Sequence, residues 1–216
     1  MCGFADIICF DLRRNARWMA LSALGIFLLV PVLTYAFGAN ARAASRAMEN
    51  ASAFAGIAAL CPVFVPERAR GVRESVAAHG LPVAMVWGVR AAWLLIAVWM
   101  FSYGSALVLN ALGCDTGYRT AMAGFSNAAF TGGIAALCAA ASGSAALGAG
   151  VSLLLLALNA CGVAPSLLTL FCNWKGLPDN KLPLCLIGIA LTAAAVCVRT
   201  ARERRGGLFF ARREQI

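Results

Sequence analysis

Long apolar runs separated by short polar stretches recur six times along this chain. The first, 18–37, carries no charged side chain and as a helix covers about 30 Å, the thickness of a bilayer's hydrocarbon core. The second ends at Pro66, and a helix begun near Met48 makes 48–66 long enough to cross. The third, 81–110, can cross with tilt. The fourth and fifth, 121–141 and 145–165, are joined by the tight Ser142-Gly143-Ser144 connection, and Pro165 ends or kinks the fifth. The sixth, 183–199, is short, but Lys181 and Arg199 flank it with stems long enough to snorkel outward. Ahead of the first run, Phe4, Ile7, Ile8, Phe10 and Leu12 alternate with Asp6, Asp11, Arg13 and Arg14, the pattern of an interfacial amphipathic helix over 1–17. The stretch between Pro165 and Pro183 mixes apolar, aromatic and polar residues and reads as short interfacial or re-entrant pieces. A basic tail, 200–216, closes the chain. These elements predict an all-α polytopic membrane protein, one domain over 1–216 with six transmembrane helices.

Composition agrees with that pattern. Of 216 residues, 62% are hydrophobic and 12% charged, whereas soluble domains run at about 45–50% and 25%. A soluble single-core domain and a disordered chain are both excluded. The net charge of +9 invites a nucleic-acid reading, but the basic residues flank apolar runs and form no face with interleaved aromatics. They act as topology determinants. With both ends inside, the inner segments hold Arg13, Arg14, Arg17, Arg68, Arg70, Arg73, Arg90 and the tail arginines 199, 202, 204, 205, 212 and 213. The outer segments hold only Arg42, Arg46, Arg119, Lys175 and Lys181. The positive-inside rule then puts both termini in the cytoplasm of a cell membrane.

Residues that carry chemistry are sparse. Most cysteines fall in apolar runs, where a thiol behaves as a small hydrophobe; Cys114 and Cys172, in expected outer loops, are the one pair considered for oxidation. His79 is the single histidine, and no cysteine or carboxylate stands at zinc spacing from it, which argues against a metal. Every acidic residue, Glu49 included, is expected in a loop, a tail or a span edge, which leaves no proton relay at depth. The phosphate-cradling G-x-x-x-x-G-K-[ST], the GxSxG elbow and HExxH are all missing, so no catalytic centre is expected and any energy must come from another chain. Polar groups at depth are the candidates for a translocation path: Arg90, Asn110, Asn127, Thr131 and Asn159, with Ser126 beside them. Helix-to-helix hydrogen bonding is the plainer role for the uncharged ones. Glycines 132, 133, 143, 148 and 150 read first as sites of close helix packing.

The longest charged interruption, 67–80, lies between the second and third runs. Pro66 and Glu67 suit a helix start, and Val72, Val76 and His79 recur at helical spacing opposite Arg70, Arg73 and Glu74. Gly80 and Pro82 stop the pattern. Glu67, Gly71, Glu74, Leu81, Pro82 and Arg90, taken with the interfacial N-terminal helix and six spans, resemble the membrane subunits of type-2 ABC exporters. That resemblance implies a permease whose cytoplasmic coupling helix, through Glu67, Arg68, Arg70, Gly71, Arg73, Glu74 and His79, docks on separate ABC ATPase subunits. It implies a second permease subunit, identical or homologous, and ATP and Mg bound by the partner ATPase, with no cofactor in this chain. Arg90 stands where a lysine is expected. An amphipathic peptide, drug or lipid is the expected substrate class. A non-transporting membrane immunity or scaffold protein is the alternative reading.

Overall fold

The computed structural model describes residues 4–66, 82–163, 169–171 and 180–213, and the side chains of 8–66, 82–163, 169–171 and 180–204 among them. Within those residues the chain is helical and has no strand. Helix α1, Phe4–Asp11, passes through a π-helical turn, Leu12–Ala16, into α2, Arg17–Ala36. Helix α3, Ala41–Leu60, ends in a 3-10 turn over Cys61–Phe64. Then come α4, Val83–Ala111, α5, Tyr118–Ser142, α6, Ala145–Ala160, and α7, Lys181–Arg213. Five of these segments, Ile8–Ala36, Ala41–Phe64, Val83–Ala111, Tyr118–Ser142 and Lys181–Arg204, are long and apolar enough to cross a membrane. Helix α6 is equally apolar but shorter, at 16 residues, about 24 Å at 1.5 Å per residue.

Local chemistry sets the helix ends. Asn40 caps α3, its side chain accepting from the Ala43 N–H at 2.8 Å, which satisfies one of the first-turn donors. That cap starts α3 seven residues ahead of the expected position at 48. The run of alanines after it makes a good helix former even between Arg42, Arg46 and Glu49. Ser144 caps α6 in the same way through the Leu147 N–H. At the other end of that connection Gly143, with φ of 75°, closes α5 in the left-handed conformation that glycine adopts without strain. No loop separates α1 from the first span: the π turn carries the helix straight through. Asp11 and Ala16 at its edges both have right-handed helical backbone.

The bundle is apolar on its outer surface as well as in its core, where Phe27, Leu60, Trp87 and Leu94 are buried. Leu28, Leu29, Val32, Tyr35, Ile96, Met100, Leu154 and Leu186 lie on its outer surface, whereas Ser52, Ser102, Asn127, Thr131, Ser152 and Asn159 are buried. Apolar side chains outside and hydrogen-bonded polar ones inside are what a hydrocarbon solvent selects, so the chain is a multi-pass membrane protein.

Helix α5 is the axle. It packs against α3, α4, α6 and α7 and is built almost wholly from Ala, Gly, Ser and Thr on its buried faces. A methyl at Gly56 would strike the Ala128 backbone, one at Gly132 would lie 2.5 Å from the Gly56 carbonyl, and one at Gly188 would lie 2.5 Å from the Ala129 carbonyl carbon. A methyl at Gly148 would strike the Ala135 carbonyl. Small residues therefore let three helices reach the α5 backbone itself, maximising dispersion contact where lipid supplies no hydrophobic drive.

Gly56→Ala is expected to destabilise the protein by about 1–3 kcal/mol through overpacking. Gly104→Ala, where a methyl meets nothing within 4 Å, should be neutral or stabilising by up to about 1 kcal/mol through helix propensity. Thermal unfolding of the two variants in detergent, followed by tryptophan fluorescence, separates these outcomes.

Candidate functional site

Two buried clusters of charged and polar groups stand at opposite ends of the bundle. Both involve the α3 segment: Glu49 on the helix and Val63 in the 3-10 turn that closes it are 14 positions apart, roughly 21 Å along the axis.

The first cluster gathers around Arg90. Its guanidinium donates from Nε to Asp11 Oδ2 at 2.9 Å and from Nη2 to Asp11 Oδ1 at 2.6 Å, the bidentate fork that carboxylate and guanidinium geometry favours. Nη1 donates to the Val63 carbonyl at 2.5 Å, which occupies an acceptor in the 3-10 turn closing α3. Asn15 completes the carboxylate by donating to Asp11 Oδ1 at 2.7 Å. Arg90 is fully buried and Asp11 nearly so. One side chain thus joins the N-terminal helix, the end of α3 and the start of α4. Two further contacts bring the C-terminal half of α7 to the same end. The Arg199 guanidinium lies 5.8 Å from the centroid of the buried Trp87 ring, which meets Phe64 edge-on at 5.4 Å. Arg202 donates to the Ala141 carbonyl at 2.5 Å, one of the last carbonyls of α5, where a cation is favoured.

The second cluster gathers around Lys181. Its ammonium lies 2.9 Å from Glu49 Oε1, donates to Asn127 Oδ1 at 2.9 Å and donates to the Leu170 carbonyl at 2.5 Å. Asn127 in turn donates to the carbonyls of Glu49, at 3.1 Å, and Leu170, at 2.9 Å. The Leu170 N–H donates to Asn159 Oδ1 at 2.9 Å, and Asn180 donates to the Thr169 carbonyl. Helices α3, α5, α6 and α7 therefore converge on the backbone of 169–171. Irregular backbone at this depth is tolerated because side chains satisfy it. Thr131 and Ser152 continue the pattern along the helix seams, donating to the carbonyls of Ala53 and Thr131.

Several expectations change here. Glu49 is not at a span edge: it lies inside α3 with no exposed surface, because the Asn40 cap starts the helix earlier. Asp11 is likewise drawn into the bundle. Acidic groups are therefore present at depth, each beside a cation. Lys181 does not snorkel outward but turns inward, 5% exposed, and Arg199 lies against Trp87. Cys114 is a buried free thiol, unsuited to labelling from solution; Cys172 lies outside the described residues. Of the path candidates, Asn127 and Thr131 are buried and donate across to α3, at the Glu49 and Ala53 carbonyls, Asn159 is buried and accepts from the Leu170 N–H, and Asn110 is exposed at the end of α4. Arg90 is at the far end of the bundle from all of them, so the five do not line one surface. Ser126 is buried. Glu67, Arg68, Arg70, Gly71, Arg73, Glu74 and His79 lie outside the described residues.

Chemically, both clusters are closed ion pairs. Each holds charge inside the bundle without exposing it to lipid, and each ties together segments distant in sequence. Breaking such a pair by removing one partner costs about 3–5 kcal/mol, while removing both charges costs less. Lys181→Met is therefore expected to destabilise by about 3 kcal/mol or more. Adding Glu49→Gln to it should recover part of that loss, as read from unfolding by SDS in mixed micelles.

No protein-family model, curated protein or solved structure matches this chain.

Proposed function

We propose that the chain is the transmembrane subunit of an ATP-driven exporter of the type-2 ABC kind, with both termini in the cytoplasm and the segment 67–79 docking on a separate ATPase. The observation that carries this reading is the Arg90 cluster. Residues 66 and 82 leave from the end of the bundle where the N-terminal helix and the C-terminal arginines also gather. The segment is rooted in α3 through the Val63 carbonyl and in α4 through Arg90, and Asp11 adds the N-terminal helix to the same root. A push on such a segment is delivered to three membrane segments together, which is what a rigid-body switch between inward-facing and outward-facing states requires. The arginines at this end, Arg13, Arg14, Arg17, Arg199, Arg202 and Arg204, favour the cytoplasmic side.

Helix α6 serves as the sixth crossing in this reading. It starts beside Ser142 and Gly143, near Arg202, and close to its last residue Asn159 contacts Leu170 at the other end of the bundle. Its shortness is accommodated by local thinning of the bilayer at modest cost. Two such subunits, identical or paired with a homologue, enclose the path, and ATP and Mg act in the partner. An amphipathic peptide, drug or lipid suits the apolar, uncharged helix faces.

Two measurements test the proposal. The chain should co-purify with an ATPase whose hydrolysis it stimulates, and Glu67→Arg with Glu74→Arg should abolish that stimulation while the permease still elutes as a folded species. Unchanged stimulation contradicts docking through this segment. For orientation, an impermeant thiol reagent added to intact cells should label the exposed Cys161, at the Lys181 end, and spare the exposed Cys9, at the Arg90 end. The reverse pattern overturns the topology.

A further inference from the structure

The Arg90 cluster has a second consequence, on the outer face of the same helix. Asp11 and Asn15 turn inward across the π turn, because Asn15 donates to Asp11 and Asp11 is clamped by Arg90. Arg13, Arg14 and Arg17 are thereby turned outward, and all three are exposed. The acid nearest in sequence among the described side chains, Asp11, is fully engaged, and none of the three guanidiniums forms an ion pair among the described residues. Arg14 and Arg17 instead lie over the rings of Phe10 and Trp18, at 5.8 and 5.1 Å. A π turn inside an α-helix is an uncommon feature that concentrates at functional positions. Here it sets which residues face the bundle and which face out.

Beside this turn lies an open cavity of about 380 Å³, lined by Cys9, Leu12, Arg13, Arg17 and Trp93. Two arginines thus stand at a cavity whose surface is otherwise mainly apolar and aromatic. Trp93 lies ten residues into α4, about 15 Å from its start, so the cavity extends from the charged rim toward the hydrocarbon. Two other grooves among the described residues differ in kind. The one between α4 and α7, lined by Gly88, Ala91, Ala92 and Ile189 among others, has no charged group, and the one lined by Asn15, Trp18, Ser22 and Pro62 has none either.

We propose that this cavity is a binding site for an anionic phospholipid, with Arg13 and Arg17 holding the phosphate and an acyl chain lying along Leu12 and Trp93. The pairing of charge and apolar surface selects the occupant. A free inorganic anion uses only the arginines, and a neutral lipid only the apolar wall. A guanidinium recognises phosphate by forked hydrogen bonds and is weakly hydrated, so it suits a site at the edge of the bilayer. Anionic lipid attracts basic side chains at a membrane surface by about 1 kcal/mol each, equivalent to about fivefold in affinity. The site does not depend on an ATPase partner and stands whether or not the chain is an exporter. Lipid seated there would brace the N-terminal helix from outside while Asp11 holds it from inside.

The test is native mass spectrometry of the full-length protein in detergent, titrated at low ionic strength with dioleoyl phosphatidylglycerol or with dioleoyl phosphatidylcholine. The wild type should retain phosphatidylglycerol at least tenfold more tightly. Arg13→Gln with Arg17→Gln should lose about 25-fold of that affinity and bind the two lipids alike. Arg42→Gln with Arg119→Gln, which removes the same charge from the opposite end, should leave the preference intact. Equal binding of both lipids by the wild type overturns the proposal without recourse to any variant, as does an undiminished preference in the Arg13 and Arg17 variant. Displacement of the lipid by millimolar inorganic phosphate, with ionic strength held constant, would identify an anion site with no lipid specificity and equally overturn it.

Discussion

A guanidinium that leaves water for the interior of a helix bundle has to be neutralised where it stands, and at Arg90 the neutralising carboxylate comes from the N-terminal helix, 79 positions earlier in the chain. That requirement fixes much of the molecule. The fork to Asp11 draws the N-terminal helix against α4, the third donor takes a carbonyl at the end of α3, and Asn15 takes up carboxylate capacity left over. Three segments that meet nowhere in sequence become one rigid corner. The same inward turn of Asp11 points Arg13, Arg14 and Arg17 outward, so one ion pair sets both the inner joint and the basic outer rim.

The opposite end repeats the physics with different parts. Lys181 and Glu49 stand on α7 and α3, and the Asn127 amide between them fills donor and acceptor roles at once. Between the two ends the bundle relies on contact of another kind. Around α5, glycine and alanine bring backbones close enough for dispersion to replace the hydrophobic effect that lipid cannot supply. Charge thus fixes the register of the helices at their ends, and small residues allow their close approach in the middle.

Much of this is legible in the sequence, and the exceptions have physical causes. Charge-free runs reveal the membrane helices because no hydrocarbon-facing segment tolerates free charge. The small-residue character of the fourth and fifth runs is equally readable as close packing, and Asn127, Thr131 and Asn159 as polar glue. Glu49 is harder to read, because hydropathy lowers the score of the stretch containing Arg42, Arg46 and Glu49 and moves the apparent helix start to Met48. The missed signal is local: Asn40 before a stripe of alanines at 43, 44, 47 and 51 is a capped helix. Lys181 illustrates a second limit. A lysine at the edge of a span snorkels or turns inward according to what faces it, and its partner here lies 132 positions away in the chain. Long-range pairing of single charges leaves no periodicity for a sequence to display.

The central claim is that Asp11 and Arg90 act as one unit joining the N-terminal helix to the bundle, and a double-mutant cycle measures that directly. Asp11→Asn, Arg90→Gln and the combined variant are compared by unfolding in mixed micelles. The account predicts that each single change costs about 3 kcal/mol or more, and that the combination costs less than their sum by about 1–3 kcal/mol. Additivity within about 0.5 kcal/mol would show that the two residues do not depend on one another and would contradict it.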